Sequence, residues 1–303
     1  MKQAFLQLHL AILLASCSGI FGNLISLDPV LITGYRMLLA SVMLLLLLVI
    51  KYGRIIVDKS NRHILWLGVL LAFHWVFFYG SIKYANVSVG VVCFCLSGFF
   101  TALVSPLVNR KRISWVELLL SSLTLVGILL IFHFDASFRT GIVLGIISSL
   151  LFALYATLNE RVNQSGQVIK TTALQMVGGT LVMGLLLPFY RASKSSLSLL
   201  PTSEDFVFLF LLALGCTVCM CLLLNRAQKV ISAFTVSLSF NLEPVYSILL
   251  AVLLFDEDKM LGTAFYMGLA LIVLSLVLQM VYQKWSFTKS SIVKSVKKEK
   301  LRK

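Results

Sequence analysis

The chain has 303 residues, of which 59% are hydrophobic and only 13% are charged, and its mean hydropathy is +0.97. This composition is far too apolar for a soluble domain and predicts an integral membrane protein in a lipid bilayer. The net charge of +14 does not indicate nucleic-acid binding. The basic residues lie between apolar runs and at the end of the chain, not in a patch interleaved with aromatic residues.

The apolar runs have the length that a helix needs to cross a bilayer, about 20 residues. They lack the alternating polarity of transmembrane strands. We therefore predict an all-α integral membrane protein with ten transmembrane helices. The predicted spans are 5–25, 31–50, 64–82, 87–108, 114–133, 140–159, 171–190, 206–225, 232–255 and 261–282.

The distribution of lysine and arginine predicts the orientation of these helices. With both termini in the cytoplasm, 20 basic residues fall in cytoplasmic segments. Cytoplasmic loops carry the excess of basic residues in membrane proteins, so this orientation is the expected one. Six basic residues fall on the outer side: Arg36, Lys83, Arg139, Arg191, Lys194 and Lys259.

Two stretches, 83–112 and 229–258, read as one unit used twice with an offset of 146 residues. The offset places Lys83 on Lys229, Phe94 on Phe240 and Ser97 on Glu243. Five helices per half is an odd number, so the second half should be inverted relative to the first, as in many secondary transporters. The predicted units are 1–135, 136–283 and a basic cytoplasmic tail, 284–303, which serves as an anchor of topology or touches anionic lipid.

The first helix carries small residues at four-residue spacing, Ala11, Ala15 and Gly19, which favours close helix packing. An alternative reading of 14–17, Leu-Ala-Ser-Cys, is a lipoprotein cleavage site, which would remove this helix and break the symmetry of the halves. All six cysteines fall within predicted spans, where small apolar packing is the expected role and neither a disulfide nor a metal site is predicted.

Glu243 and Pro244 lie about halfway along the predicted ninth helix. A carboxylate at membrane depth is costly and usually faces a bundle interior or a water-filled cavity. Proline removes a backbone donor and disfavours helical geometry before it, so a bend is expected here. Either Glu243 is functional, or the helix is simply kinked and the glutamate bonds to a neighbour.

Several short motifs, in order along the chain, resemble one family. They are Pro29 with 35–40 (Tyr-Arg-Met-Leu-Leu-Ala), 84–88 (Tyr-Ala-Asn-Val-Ser), 152–155 (Phe-Ala-Leu-Tyr), 241–245 (Asn-Leu-Glu-Pro-Val) and 255–257 (Phe-Asp-Glu). Together they resemble the drug/metabolite transporter superfamily, specifically its ten-helix type with two EamA repeats. The chain departs from that pattern at Ser18-Gly19, Gly98 and Lys111.

The resemblance implies two inverted five-helix repeats around a central cavity, bounded largely by helices one, three, four, six, eight and nine. It also implies movement of small organic solutes, frequently export of amino acids, without ATP or another cofactor, across the bacterial inner membrane. Two other classes stay open. A membrane enzyme would need acid, base or metal groups clustered near the interface, and a non-transporting scaffold would depend on the basic tail.

Candidate substrate-binding residues follow from helical spacing and from the offset of the halves. Their aromatic, hydroxyl and amide groups suit an amphipathic zwitterion, although an aromatic packing stripe with polar contacts between helices is the simpler reading. The candidates are Asn23, Trp75, Phe78, Tyr79, Phe94, Ser97, Tyr155, Asn159, Asn225 and Phe240. The faces that carry Phe94 and Phe240 should meet across the axis.

Two residues are candidates for proton coupling. Burial favours the neutral form of a carboxyl group, so protonation of Glu243 is the expected coupling step. His74 is the second candidate, because histidine titrates near neutral pH, although a lone histidine in a helix is usually structural.

Overall fold

The computed structural model describes residues 2–53, 62–110, 113–134, 136–163, 167–194, 198–240, 242–256, 259, 261–275, 277–278 and 281–282. All regular structure in these ranges is helical. The predicted tail, 284–303, lies outside the described residues, as do Lys111, Arg112, Asn241, Glu257 and Asp258 of the sequence motifs.

The first half of the chain forms six helices. They are α1 (Lys2–Leu24), α2 (Pro29–Tyr52), α3 (His63–Tyr84), α4 (Val87–Phe94), α5 (Leu96–Asn109) and α6 (Trp115–Phe134). The second half forms α7 (Arg139–Asn163), α8 (Val168–Ser193), α9 (Ser203–Ala213), a π-helical segment (Leu214–Cys219), α10 (Met220–Ala227), α11 (Ala233–Phe240), α12 (Glu243–Phe255) and α13 (Thr263–Ser275).

Seven of the helical stretches in the described chain are long and apolar enough to cross a membrane, and three shorter apolar helices accompany them. On α8 the outward side chains are large and apolar: Leu181, Leu185 and Phe189 are 63–72% exposed at four-residue spacing. Such a stripe fits lipid contact rather than water. The chain is a multi-pass helical membrane protein, and the count of ten spans stays a prediction.

Hydrogen bonds between loops and helix ends close one end of the bundle, which we call the Asp28 end. Asp28 caps α2 through the Val30 N–H and pairs with Lys194 at 2.6 Å. Burial raises the pKa of Asp28, but hydrogen bonds from Lys194 and Tyr190 outweigh it and leave the pKa below its ordinary value. Asp205 also accepts hydrogen bonds from the Ser26 N–H and hydroxyl, at 2.6 and 2.7 Å. The opposite end, where α7 ends and α8 begins, is called the Asn159 end.

Local geometry repeats at the offset of 146 residues. Asn86 accepts a hydrogen bond from the N–H three residues on and so caps α4, and Ser232 does the same before α11. Both of these short helices end at equivalent phenylalanines, Phe94 and Phe240. Among the described residues, the two non-glycine positions with left-handed backbone are Arg110 (φ 51°) and Asp256 (φ 53°), which are also 146 apart.

Three contacts join a residue to its own counterpart or to the corresponding helix of the other half. The Ser41 and Thr180 hydroxyls, 139 positions apart on α2 and α8, lie 3.0 Å from each other. The Phe94 and Phe240 rings pack edge to face with centroids 6.0 Å apart. On α6 and α13, Thr124 donates to Ser275 at 3.1 Å. A twofold axis between the halves produces contacts of this kind, and the two predicted faces do meet at Phe94 and Phe240.

Two of the predicted spans contain an interruption. The span 87–108 corresponds to the apolar stretch Val87–Asn109, which is interrupted at Cys95, and the span 232–255 is interrupted before Glu243, where the sequence predicts a bend. Pro244 accounts for the second break because it stands in the first turn of α12, where its missing N–H costs least. One sequence expectation needs correction: Arg36, which was counted among the basic residues of the outer side, lies in α2 and is fully buried in the bundle.

We expect Gly178→Ala to destabilise the protein. A Cβ at Gly178 on α8 would overlap the backbone of Leu65 on α3, which cannot move like the end of a side chain. Overpacking of this kind costs about 1–3 kcal/mol. The matched control is Gly184→Ala on the same helix, where a Cβ meets nothing within 4 Å. Thermal unfolding in detergent should show a lower midpoint for the first variant alone, and equal midpoints would contradict the close α3–α8 packing.

Candidate functional site

A closed cavity lies between the two halves, at the middle of the bundle. Its volume is about 40 Å³, which holds only a few water molecules. Helices α1, α2, α3, α4, α7, α10, α11 and α12 all contribute to its wall. The lining residues are Ala15, Ser18, Arg36, Leu71, His74, Trp75, Phe78, Phe94, Phe152, Tyr155, Met220, Cys221, Leu224, Phe240 and Glu243.

One side of the cavity is an aromatic cluster. Phe94 packs on Phe152 with ring centroids 4.8 Å apart, and both rings also contact Phe240. Offset and edge-to-face pairs of this type hold rings in fixed positions. Because these side chains come from both halves, the cluster joins the halves at the cavity wall.

His74 connects this cluster to α7. Its ring lies 5.3 Å from Phe94 and 5.2 Å from Phe152, centroid to centroid. Its Nδ1 lies 2.8 Å from the Ser148 hydroxyl and 3.0 Å from the Ser148 carbonyl oxygen, while the same hydroxyl donates to the His74 carbonyl. The imidazole therefore has a fixed orientation in the wall.

Arg36 brings a permanent positive charge into the cavity. Its Nε donates to the Thr217 hydroxyl at 2.6 Å, one terminal nitrogen donates to the Ser18 and Tyr79 hydroxyls, and the other donates to the Cys216 carbonyl at 2.6 Å. Four of its five N–H groups thus have protein partners. We call this set the Arg36 network.

The guanidinium also stacks on an aromatic ring. Its central carbon lies 3.6 Å from the centroid of the Trp75 ring, in the geometry of a cation–π contact. The π-helical segment supports the same group, because it supplies both the Cys216 backbone carbonyl and the Thr217 hydroxyl. A π-helical turn has wider hydrogen bonding than an α-helix and occurs frequently at functional sites.

Glu243 supplies the acidic group of the cavity. It is 3% exposed and stands in the first turn of α12, where the helix dipole favours a negative charge. Ser16 and Ser247 hold this turn against α1: Ser16 reaches the Glu243 carbonyl at 3.5 Å, and Ser247 donates to the Ser16 carbonyl at 3.0 Å. No described residue donates a hydrogen bond to the carboxylate itself.

Arg36 and Glu243 line the same cavity without forming an ion pair. The ion pairs among the described residues join Lys194 to Asp28 and Lys259 to Asp256. The two buried charged groups are therefore separate, and each faces the space that a ligand would enter.

A second polar network lies toward the Asn159 end. The Gln175 side chain donates to the Asn159 side chain at 2.6 Å. The amide oxygen of the Gln175 side chain accepts from the Tyr155 hydroxyl at 3.3 Å and from the Asn225 side chain at 3.5 Å. Asn159 donates in turn to Asn225 and Gln228 at 2.8 and 2.6 Å. We call this set the Gln175 network.

The structure distributes the predicted site residues over several places. His74, Trp75, Phe78, Phe94, Tyr155, Phe240 and Glu243 line the cavity. Tyr79 belongs to the Arg36 network, and Asn159 and Asn225 belong to the Gln175 network.

Two of the predicted residues belong neither to the cavity wall nor to either network. Ser97 is buried beside the break between α4 and α5, and its carbonyl accepts a hydrogen bond from Thr101. Asn23 lies at the Asp28 end, where its carbonyl accepts a hydrogen bond from Lys83 at 3.1 Å.

Sequence reasoning left out several site residues, such as Phe152 of the aromatic cluster. The main omissions are Arg36 and Gln175, the centres of the two networks. Both lie within predicted spans, 31–50 and 171–190, so a polar residue inside an apolar run was the available signal. They are also 139 positions apart, like Ser41 and Thr180, which makes them equivalent positions of α2 and α8.

Comparison with known proteins agrees with this architecture. Residues 3–133 and 139–281 match the EamA-like transporter family. A solved crystal structure described as "Crystal structure of protein" superposes with a TM-score of 0.66 at 16% identity, covering 93% of this chain and 98% of that one. At this identity the likeness shows the fold alone. A search of curated proteins finds no match.

We expect Arg36→Lys to destabilise the protein despite the retained charge. A lysine ammonium cannot reach Thr217, Tyr79 and the Cys216 carbonyl together, nor can it stack on Trp75. Loss of two or more hydrogen bonds predicts a reduction of about 2 kcal/mol in the free energy of unfolding. Arg62→Lys, at an exposed position before α3, is the control. Unfolding in detergent checks this, and equal midpoints for both variants would refute a structural role for the guanidinium.

Proposed function

The chain belongs to the EamA-like transporter family, and from that membership we propose that it is a secondary active transporter. It moves small organic metabolites such as amino acids out of the cell, across the bacterial inner membrane, by alternating access. Both termini lie in the cytoplasm, so the Asp28 end faces outward. The observation that carries the proposal is the closed cavity between two halves, which holds one buried cation, one buried carboxyl group and an aromatic wall.

The chemistry of the cavity supports a zwitterionic substrate. Arg36 offers its remaining N–H and its charge to a substrate carboxylate, and Glu243 offers a carboxylate to a substrate ammonium group. Trp75, Phe94 and Phe240 provide apolar surface for a side chain. Binding pockets combine apolar walls with a few placed polar groups in this way.

The remaining candidates have proposed roles set by their positions. Phe78 and Tyr155 complete the wall, and Tyr79 fixes Arg36. Asn159 and Asn225 act where a substrate would leave or enter at the Asn159 end. Ser97 and Asn23 contact substrate only after the bundle has opened, because neither lines the closed cavity.

Coupling to protons is assigned first to Glu243. Its carboxyl group lines the cavity, and no described residue donates a hydrogen bond to it, so a proton or a substrate cation can bind there in turn. His74 is the second candidate, although Ser148 and three phenylalanine rings already hold its imidazole.

Counterflow in proteoliposomes tests the function. Vesicles preloaded with one amino acid at a time should accumulate the same labelled amino acid for at least one member of a broad panel. Glu243→Gln should abolish uptake driven by a pH gradient while leaving exchange measurable, because the amide cannot release a proton. Glu204→Gln, at an exposed position on α9, should transport as the unchanged protein does.

Failure of the whole panel of amino acids and related metabolites in counterflow would contradict the transporter proposal. It would favour the membrane enzyme or the scaffold. Equal pH-gradient-driven uptake by the Glu243 and Glu204 variants would contradict the coupling role alone.

Tryptophan fluorescence provides a separate test of the binding site. Trp75 lines the cavity, whereas Trp66 on the same helix is 71% exposed on the outer surface of the bundle. A transported amino acid should change the fluorescence of the protein, and Trp75→Phe should remove that change while Trp66→Phe preserves it. A ligand-dependent signal that survives Trp75→Phe would place the substrate elsewhere.

A further inference from the structure

Every residue that lines the cavity is at most 7% exposed, and a polar network lies on each side of the cavity. A space of about 40 Å³ cannot hold an amino acid, so one end must open before substrate enters. The Arg36 network lies between the cavity and the Asp28 end, and the Gln175 network lies between the cavity and the Asn159 end. Each network joins several helices on its side of the cavity, so movement of those helices apart would break its hydrogen bonds.

The two networks occupy equivalent positions of the two halves. Arg36 is the eighth residue of α2, and Gln175 is the eighth residue of α8. Arg36 bonds to α1 and α3, and Gln175 bonds to α7 and α10, which correspond to α1 and α3. Tyr79 and Asn225, one in each network, are related by the offset of 146.

We propose that these networks are two latches, with Arg36 holding the Asp28 end closed and Gln175 holding the Asn159 end closed, and that one opens while the other stays shut. The role of the latches in transport rests on the proposed function. The latches themselves are a property of the protein without substrate.

The two latches differ in strength because they differ in chemistry. Arg36 is charged and ties the first half to the second through Thr217 and the Cys216 carbonyl. Hydrogen bonds to a charged group are about twice as strong as neutral ones. Gln175 is neutral and forms hydrogen bonds to α7 and α10 of its own half. Its contact with the first half is close packing on α3, where a Cβ at Gly68 would overlap the backbone carbonyl oxygen of Gln175. The latch at the Asp28 end is therefore the stronger one.

A native cysteine can report which end is open. Cys221 lines the cavity and is buried, so it reacts with a membrane-impermeant maleimide only when water reaches the cavity. The other five cysteines are replaced by alanine. Sealed vesicles of each orientation are labelled from outside, and Ser198→Cys, at an exposed position of the Asp28 end, identifies in a parallel sample the side that this end faces.

Arg36→Met should raise the labelling rate of Cys221 by about fivefold or more from the side of the Asp28 end, because several hydrogen bonds are lost. Gln175→Leu should raise it from the opposite side, by a smaller factor. Ser41→Ala, which removes a buried hydroxyl contact outside both networks, should leave both rates unchanged. Where Arg36→Met fails to fold, Tyr79→Phe takes its place and removes one hydroxyl of the same network.

Increases from the same side for both variants, or no increase in correctly inserted protein, would overturn the proposal. An increase in the Ser41 variant equal to theirs would also overturn it, because the effect would then be general loosening. No substrate enters this experiment. If the protein fails in counterflow but shows the two opposite labelling patterns, the two latches are supported and only the proposed transport function is contradicted.

Discussion

The structure depends on the accommodation of one guanidinium at membrane depth. A charged side chain there is costly unless it faces the bundle interior and finds partners. Arg36 finds them in two helices of the first half, α1 and α3, and in the π-helical segment of the second, and Trp75 covers one face of the guanidinium plane. Because these partners come from both halves, satisfying one charge also fixes how the halves meet around the cavity.

The second buried charged group, the Glu243 carboxylate, is positioned by a helix start. Glu243 begins a helix, since the ninth span breaks before it and Pro244 fits the first turn that follows. The fourth span breaks at the equivalent place without a proline, which leaves Ser97 where Glu243 stands in the other half. The repeated backbone thus carries different chemistry on its two copies, and the cavity between them is asymmetric.

Much of this architecture follows from the sequence, and the exceptions have physical causes. Long apolar runs predict the helices, and the offset of 146 residues predicts a repeated unit whose Phe94 and Phe240 faces meet. The structure adds equivalent caps at Asn86 and Ser232 to that repeat. Arg36 was not selected as a site residue because basic residues were only counted by side of the membrane, although Arg36 falls inside a predicted span. Gln175 carries no charge, so a count of charged residues does not single it out as a site residue. The break at Cys95 and the π-helical segment depend on packing against other helices, which no local pattern specifies.

The contact between Ser41 and Thr180 restricts how the two halves can diverge. A side chain on a twofold axis meets its own counterpart, so both copies of such a position must be complementary to each other, as in an isologous interface. Positions away from the axis meet unrelated neighbours and are free to differ, and there an arginine in one copy corresponds to a glutamine in the other. A bundle built from like halves therefore has two chemically different ends, one held by a charged group and the other by neutral amides.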